Sequence, residues 1–176
     1  MMAEDLVRMG SQDTRVHALA LELVAHDSRD PLQALLDGLH RQVTYVPDCG
    51  DGSCEEVQRP DFTLFERRQG DCEDMSIAYA SLARSLGYGA RAVWLSQNGP
   101  NNHVPAQYCG PQQIRHGDNT AAAVTSAAVT PPANGLDCAA PNEWVWVETT
   151  LPGALVGEHP YAAVRRLGVG RHDIVR

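Results

Sequence analysis

One short segment, residues 69–74, concentrates the residue types best suited to chemistry and reads Gln-Gly-Asp-Cys-Glu-Asp. A Gly-Asp turn precedes Cys72 and an amphipathic run follows it, so the pattern predicts that Cys72 opens a helix. Asp71 suits the N-cap, and Asp74 lies where it can reach back to that cap. Free backbone N–H groups and the helix dipole at such a position favour a thiolate.

A cysteine at a helix start is placed as a nucleophile should be, because the same N–H groups could hold the oxyanion of an attacked carbonyl. The alternative is a small buried hydrophobic residue, since many cysteines are buried and inert. A nucleophile also needs a base and a group that orients the base. His103 begins one predicted strand and Glu148 ends another. On antiparallel neighbours, Glu148 could bind one imidazole nitrogen while the other faces Cys72.

Hydrophobic periodicity predicts the elements that must position these residues. Three helices are expected at residues 14–26, 31–42 and 72–86, with Asp30 as the N-cap of the second and Gly87 ending the third. The pattern then changes to that of strands, at residues 90–95, 104–108 and 144–148. Helices first and sheet second indicate an α+β fold.

Two irregular segments interrupt this order. Residues 47–62 are expected to form a long surface loop, and residues 110–142 a loop insertion between two strands, because they contain few large apolar side chains. The 176 residues are otherwise interpreted as a single domain with an N-terminal helical extension at residues 1–28.

Charge and composition exclude several classes of partner. The chain has 14 basic and 22 acidic residues and a net charge of −8, which argues against nucleic acid or an anionic membrane. We see no signal peptide and no apolar run long enough to span a membrane, so the expected location is cytoplasmic or virion-associated.

Five cysteines make an odd number, which favours thiol chemistry or a metal over a disulfide framework. Four could bind zinc, but their spacing is loose, so two disulfides or four free thiols are preferred and no metal or other cofactor is expected. These are Cys49, Cys54, Cys109 and Cys138.

The histidines other than His103 have ordinary interpretations. His159 is the one rival base, although its position before Pro160 suggests that it caps a helix at residues 160–167. The rest fall on predicted helices, in the insertion or near the tail: His17, His26, His40, His116 and His172.

Several segments resemble, in chain order, the motifs of the transglutaminase-like superfamily. They are Gly-Asp-Cys-Glu-Asp at 70–74, Leu82 with residues 84–87, Arg91, His103-Val104, and residues 146–150. The resemblance covers roughly residues 39–152, and the short form is similar to bacterial and bacteriophage members. It implies a papain-like α+β fold, with N-terminal helices packed on a small antiparallel sheet.

Carried over residue by residue, the resemblance implies a triad of Cys72 as nucleophile, His103 as base and Glu148 as the third member. Glu148 stands where the family usually has Asp, and the insertion is longer than short members carry. The implied function is cysteine-dependent acyl transfer, with hydrolysis of a peptide or other amide bond through a thioester on Cys72 favoured over cross-linking. The expected partner is a protein or peptide substrate. The alternative is an inactive module with a binding or structural role in a larger assembly such as a phage particle.

Overall fold

The structure is a computed structural model that describes residues 2–26, 30–48, 56–95, 103–109 and 144–168. The predicted insertion at 110–142 lies outside these ranges, as do Cys49, Cys54 and Cys138. Within them the helices are α1 Ala3–Ser11, α2 Thr14–His26, α3 Pro31–Gln42, α4 Cys72–Ser85 and α5 Pro160–Leu167, with a π-helix at Phe62–Arg67. The strands are β1 Thr44–Tyr45, β2 Gln69–Gly70, β3 Gly89–Ala92, β4 Ala106–Cys109 and β5 Val145–Val147.

Helix α4 lies at the centre of the core. All its residues from Glu73 to Ser85 are buried, and it packs against α1, α2, α3 and the strands β3 and β4. Helix α1 approaches α4 so closely that a side chain at Gly10 would overlap Pro60 and Ser81. The Arg84 guanidinium, buried near the end of α4, pairs with Glu4 of α1 at 2.5 Å. The N-terminal helices are therefore packed directly onto the helix that Cys72 begins.

The three helices expected from periodicity are confirmed. Asp30 caps α3 by accepting hydrogen bonds from the backbone N–H groups of Leu32 and Gln33. Gly87 follows α4 with a φ of 90°, the left-handed conformation that glycine adopts without a steric cost. Helix α1 had no separate prediction and lies within the expected helical extension at residues 1–28.

Strands β3, β4 and β5 form an antiparallel sheet in that order. Gln107 at its centre faces Arg91 on one side and Trp146 on the other. An isolated bridge between Leu95 and His103 extends the β3–β4 pairing beyond Pro105, which has no N–H for the ladder. Mixed helices and a small antiparallel sheet confirm the α+β prediction.

Residues 56–67 differ from the surface loop expected at 47–62. Gln58 and Asp61 are buried. The Asp61 carboxylate forms ion pairs with Arg59 and with Arg15 of α2. The pair with Arg15 holds the segment against α2, just before the π-helix begins. Beyond it, β2 pairs in parallel with β1.

None of the helices in the described ranges combines the length and apolar character that crossing a membrane requires.

Candidate active site

Cys72 is the first residue of α4, as predicted. Asp71 has the extended backbone of an N-cap, but its side chain makes no capping hydrogen bond. Asp74 does reach back, because its carboxylate accepts the backbone N–H of Asp71. The same carboxylate accepts two further hydrogen bonds from Gln58, from the backbone N at 2.7 Å and from Nε2 at 2.5 Å. Asp74 therefore ties the segment before the π-helix to the helix start beneath Cys72.

The Cys72 side chain is half-buried and free of any disulfide. Its thiol donates to Glu73 Oε2, with Sγ 3.2 Å from that oxygen, and the sulfur accepts the backbone N–H of Val104. Burial raises the pKa of the Cys72 thiol, and the charges of Glu73 and Asp71 raise it further, against a smaller lowering by the Val104 N–H. The expectation of a lowered thiol pKa is therefore wrong for this arrangement. Burial and two adjacent carboxyl groups outweigh the helix-start amides.

His103 and Glu148 form a buried pair. Nε2 of the imidazole lies 2.6 Å from Glu148 Oε2, and the two side chains are 1% and 0% exposed. An ionised carboxylate can only accept hydrogen bonds, so Nε2 donates to Glu148 and Nδ1 is the ring nitrogen left to face other groups. Nδ1 is buried and has no hydrogen-bond partner among the described residues. The pair has the form of a base held by its orienting carboxylate.

Glu148 is held in place by Thr150, two residues further along the chain. Its Oε1 accepts from the Thr150 backbone N at 2.9 Å and from Thr150 Oγ1 at 2.6 Å. Burial opposes ionisation, but the hydrogen bond and charge of His103, together with the Thr150 donors, outweigh it and lower the pKa of Glu148. The extra methylene of Glu is thus accommodated with every carboxylate oxygen bonded.

Ser76, one turn after Cys72, joins the helix to both strand segments. Its hydroxyl donates to the Val104 carbonyl at 2.5 Å and lies 2.6 Å from Thr149 Oγ1. Val104 follows His103 and Thr149 follows Glu148, so one hydroxyl links the neighbours of both residues. The structure therefore brings the segments of all three sequence-predicted site residues together at the start of α4.

Two features of the site were missed in the sequence. The first is a carboxyl pair, since the Glu73 carboxyl hydrogen-bonds that of Asp71 beside the sulfur. The second is Tyr45, which lies near Cys72, both of these carboxyl groups and Glu148. Burial first and those charges second raise the pKa of its phenol. Only the parallel pairing of β1 with β2 brings Tyr45 here, and two-residue strands leave no periodic signal.

Metal-binding potential within the described ranges is confined to the same place. One ligand atom each from Asp71, Cys72 and Glu73 lies within 4.8 Å of the others. Cys109 is disulfide-bonded, to a partner outside the described residues, so it cannot serve as a zinc thiolate.

The rival base His159 is the N-cap of α5, as predicted. Its Nδ1 accepts from the Tyr161 backbone N at 3.3 Å, and its ring contacts the rings of Trp146 and Tyr161. His17 and His40 bind the carbonyls of Ser85 and Thr149. The side chain of His26, together with His116 and His172, lies outside the part that the structure describes.

Comparison with protein families gives one match. The model of the transglutaminase-like superfamily matches residues 17–154, from α2 to just beyond the Glu148 segment. No curated protein and no solved structure gives a significant match. The match covers most of the 176 residues and includes Cys72, His103 and Glu148. The chain therefore belongs to the transglutaminase-like superfamily.

Proposed function

We propose that this protein is a cysteine-dependent acyl-transfer enzyme that hydrolyses a peptide or other amide bond. Cys72 is the nucleophile, His103 the base and Glu148 the residue that orients the base. The observation that carries the proposal is the buried His103–Glu148 pair, whose bonded Nε2 leaves Nδ1 without a hydrogen-bond partner among the described residues. The Val104 N–H on the sulfur supports it, because that contact brings the residue after His103 against Cys72.

The chemistry balances within these groups. The Cys72 proton moves to His103 Nδ1 as the sulfur attacks the substrate carbonyl carbon, and backbone N–H groups at the start of α4 stabilise the oxyanion. The C–N bond then breaks, and the proton on His103 goes to the leaving amine, which leaves a thioester on Cys72. Water attacks the thioester while His103 takes its proton. The C–S bond breaks, the carboxylic acid leaves, and the proton returns to the sulfur.

Water is the second substrate that we propose, and an amine in its place would give transfer. Both share every step up to the thioester, so the triad argument covers either outcome. Adding a primary amine to the assay distinguishes them, because transfer produces a new amide and hydrolysis produces only the acid.

A second candidate is a catalytically inactive module with a binding or structural role, for instance in a phage particle. The observation that favours it is the raised pKa of a half-buried Cys72 whose thiol donates a hydrogen bond to Glu73. An inert module should not accumulate an acyl group on Cys72.

The test uses p-nitrophenyl acetate as the acyl probe and mass spectrometry of the intact chain as the readout. We expect an acetyl group on Cys72 that is absent in Cys72→Ala and strongly reduced in His103→Asn. His159→Asn is the matched control, since Asn preserves the N-cap of α5 and should leave acylation unchanged. Equal acylation in His103→Asn and the wild type would contradict the assignment of the base, and a chain that is never acylated on Cys72 would favour the inactive module.

A further inference from the structure

Glu73 occupies an unusual position for a carboxyl group. It is the second residue of α4, and only 3% of it is exposed. Its Oε2 accepts a hydrogen bond from the Cys72 thiol, with 3.2 Å between Oε2 and Sγ. Its Oε1 is buried and receives no N–H donor from the described residues. The group beside it is the Asp71 carboxyl, to which it is hydrogen-bonded. Oxygens of the two carboxyl groups lie within 4.8 Å of each other and of the sulfur, and two buried carboxyl groups so close together disfavour ionising at the same time, so the pair keeps one proton.

The charges around the pair favour keeping that proton. Burial first, and then the hydrogen bond and charge of Asp71, raise the pKa of Glu73. The neighbouring groups come from two elements: Cys72 and Asp74 on α4, and Tyr45 on β1, which also lies near Glu148. The negative charge of Asp48 acts on Asp74 and raises its pKa. A second ionisation of the pair would add negative charge directly beside the sulfur.

The Cys72 proton has one acceptor in the structure and a different one in the proposed reaction. One is Glu73 Oε2, which receives it in the structure. The other is His103 Nδ1, which has no partner among the described residues. Because a thiol has one proton, the hydrogen bond to Glu73 competes with transfer to the base.

We propose that Glu73 is a positioning residue that holds Cys72 as a neutral thiol, through its bond to the sulfur and the proton it shares with Asp71, until the thiol proton passes to His103. This rests on the proposed function for the role of His103. It assigns Glu73 a task beyond the triad: Glu73 restrains the nucleophile at rest, and its own ionisation suppresses thiolate formation at high pH.

Two substitutions at Glu73 separate the two effects. Glu73→Gln keeps an oxygen for the thiol and an N–H for Asp71, but it cannot ionise. Glu73→Ala removes the acceptor altogether. Glu22→Gln, the same chemical change on the exposed face of α2, is the matched control. The measurement is the rate of Cys72 alkylation by iodoacetamide from pH 6 to pH 10.5, with folding checked by circular dichroism.

For Glu73→Gln we expect a rate close to wild type at pH 7, where Glu73 already holds a proton. Its midpoint should lie about one pH unit lower, so that near pH 9.5 the variant reacts several-fold faster, up to about tenfold. For Glu73→Ala we expect faster alkylation already at pH 7, because the competing acceptor is gone. Glu22→Gln should follow the wild-type curve.

A Glu73→Gln profile that superimposes on the wild type at every pH would overturn the proposal. Unchanged or slower alkylation in a folded Glu73→Ala chain would do the same, and if that variant does not fold the Gln profile decides alone. Alkylation needs no substrate turnover, so the outcome is separate from that of the proposed function. A His103→Asn variant with unchanged acylation would contradict the base while the Glu73 profile could still shift.

Discussion

Asp74 should make the stability of the protein depend on pH. Its side chain is fully buried, and burial raises its pKa from 3.8 to about 7, with Asp71 and Asp48 adding to the effect against the hydrogen bonds from Gln58 and Asp71. A carboxyl group whose pKa is higher in the folded state binds more protons there. Stability is therefore greatest below pH 4 for this group and falls as the pH rises from about 4 to about 7.

The size of the effect follows from that difference in pKa. Because one pKa unit corresponds to about 1.4 kcal/mol, a rise in the Asp74 pKa from 3.8 to about 7 on folding lowers the free energy of unfolding by up to about 4 kcal/mol across the window. Asp74→Asn should remove this dependence. Its Oδ1 can accept the Gln58 backbone N–H, and its Nδ2 can donate to Gln58 Oε1, which has no hydrogen-bond partner, once the Gln58 amide turns over.

Asp74→Ala should lower the free energy of unfolding at every pH. It leaves the buried donors of Gln58 and the Asp71 backbone N–H without their acceptor, at about 1–3 kcal/mol each. The assay is urea unfolding followed by tryptophan fluorescence at intervals from pH 4 to pH 8. Asp5→Asn, at an exposed position on α1, is the control. Parallel stability curves for Asp74→Asn and the wild type would refute the reasoning, because Asp74 would then titrate alike in the folded and unfolded chain.

Two further predictions concern the base and the core. Glu148→Gln should slow acylation of Cys72 at least about tenfold, because a neutral amide does not stabilise protonated His103, and Glu148→Asp should retain more activity because it keeps the charge. Stopped-flow acylation rates check this, and equal rates for Gln and Asp would contradict it. Gly10→Ala should cost about 1–3 kcal/mol of unfolding free energy, since the added methyl group overlaps Pro60 and Ser81. Thermal unfolding measures the loss, and an unchanged melting temperature would show that α1 shifts freely on α4.

The elements that carry the site could be predicted where a local signal exists. The turn before Cys72, the Asp30 cap and the alternation of the strands are all patterns within a few residues. Sequence order then placed His103 and Glu148 at strand ends, and the structure pairs them. That order suggested their roles as base and orienting carboxylate, and the family resemblance implied the same triad.

The charge state of the thiol could not be predicted, because its causes lie between elements. Glu73 and Asp71 were visible as neighbours of Cys72, but their burial was not, and it reverses the sign of the expected pKa change. Gln58 was predicted to lie in a surface loop because nothing near it in the sequence shows that Asp74 accepts its hydrogen bonds.

The Ser76 hydroxyl has a mechanical consequence for the site. It bonds to the Val104 carbonyl and meets Thr149, and so joins one helical turn to the two chain segments that carry the other partners. A tilt or slide of α4 should therefore carry sulfur, imidazole and carboxylate along as one block instead of pulling them apart. Mutations that loosen the far end of α4, around Arg84, should then lower the melting temperature well before they disturb the alignment at Cys72.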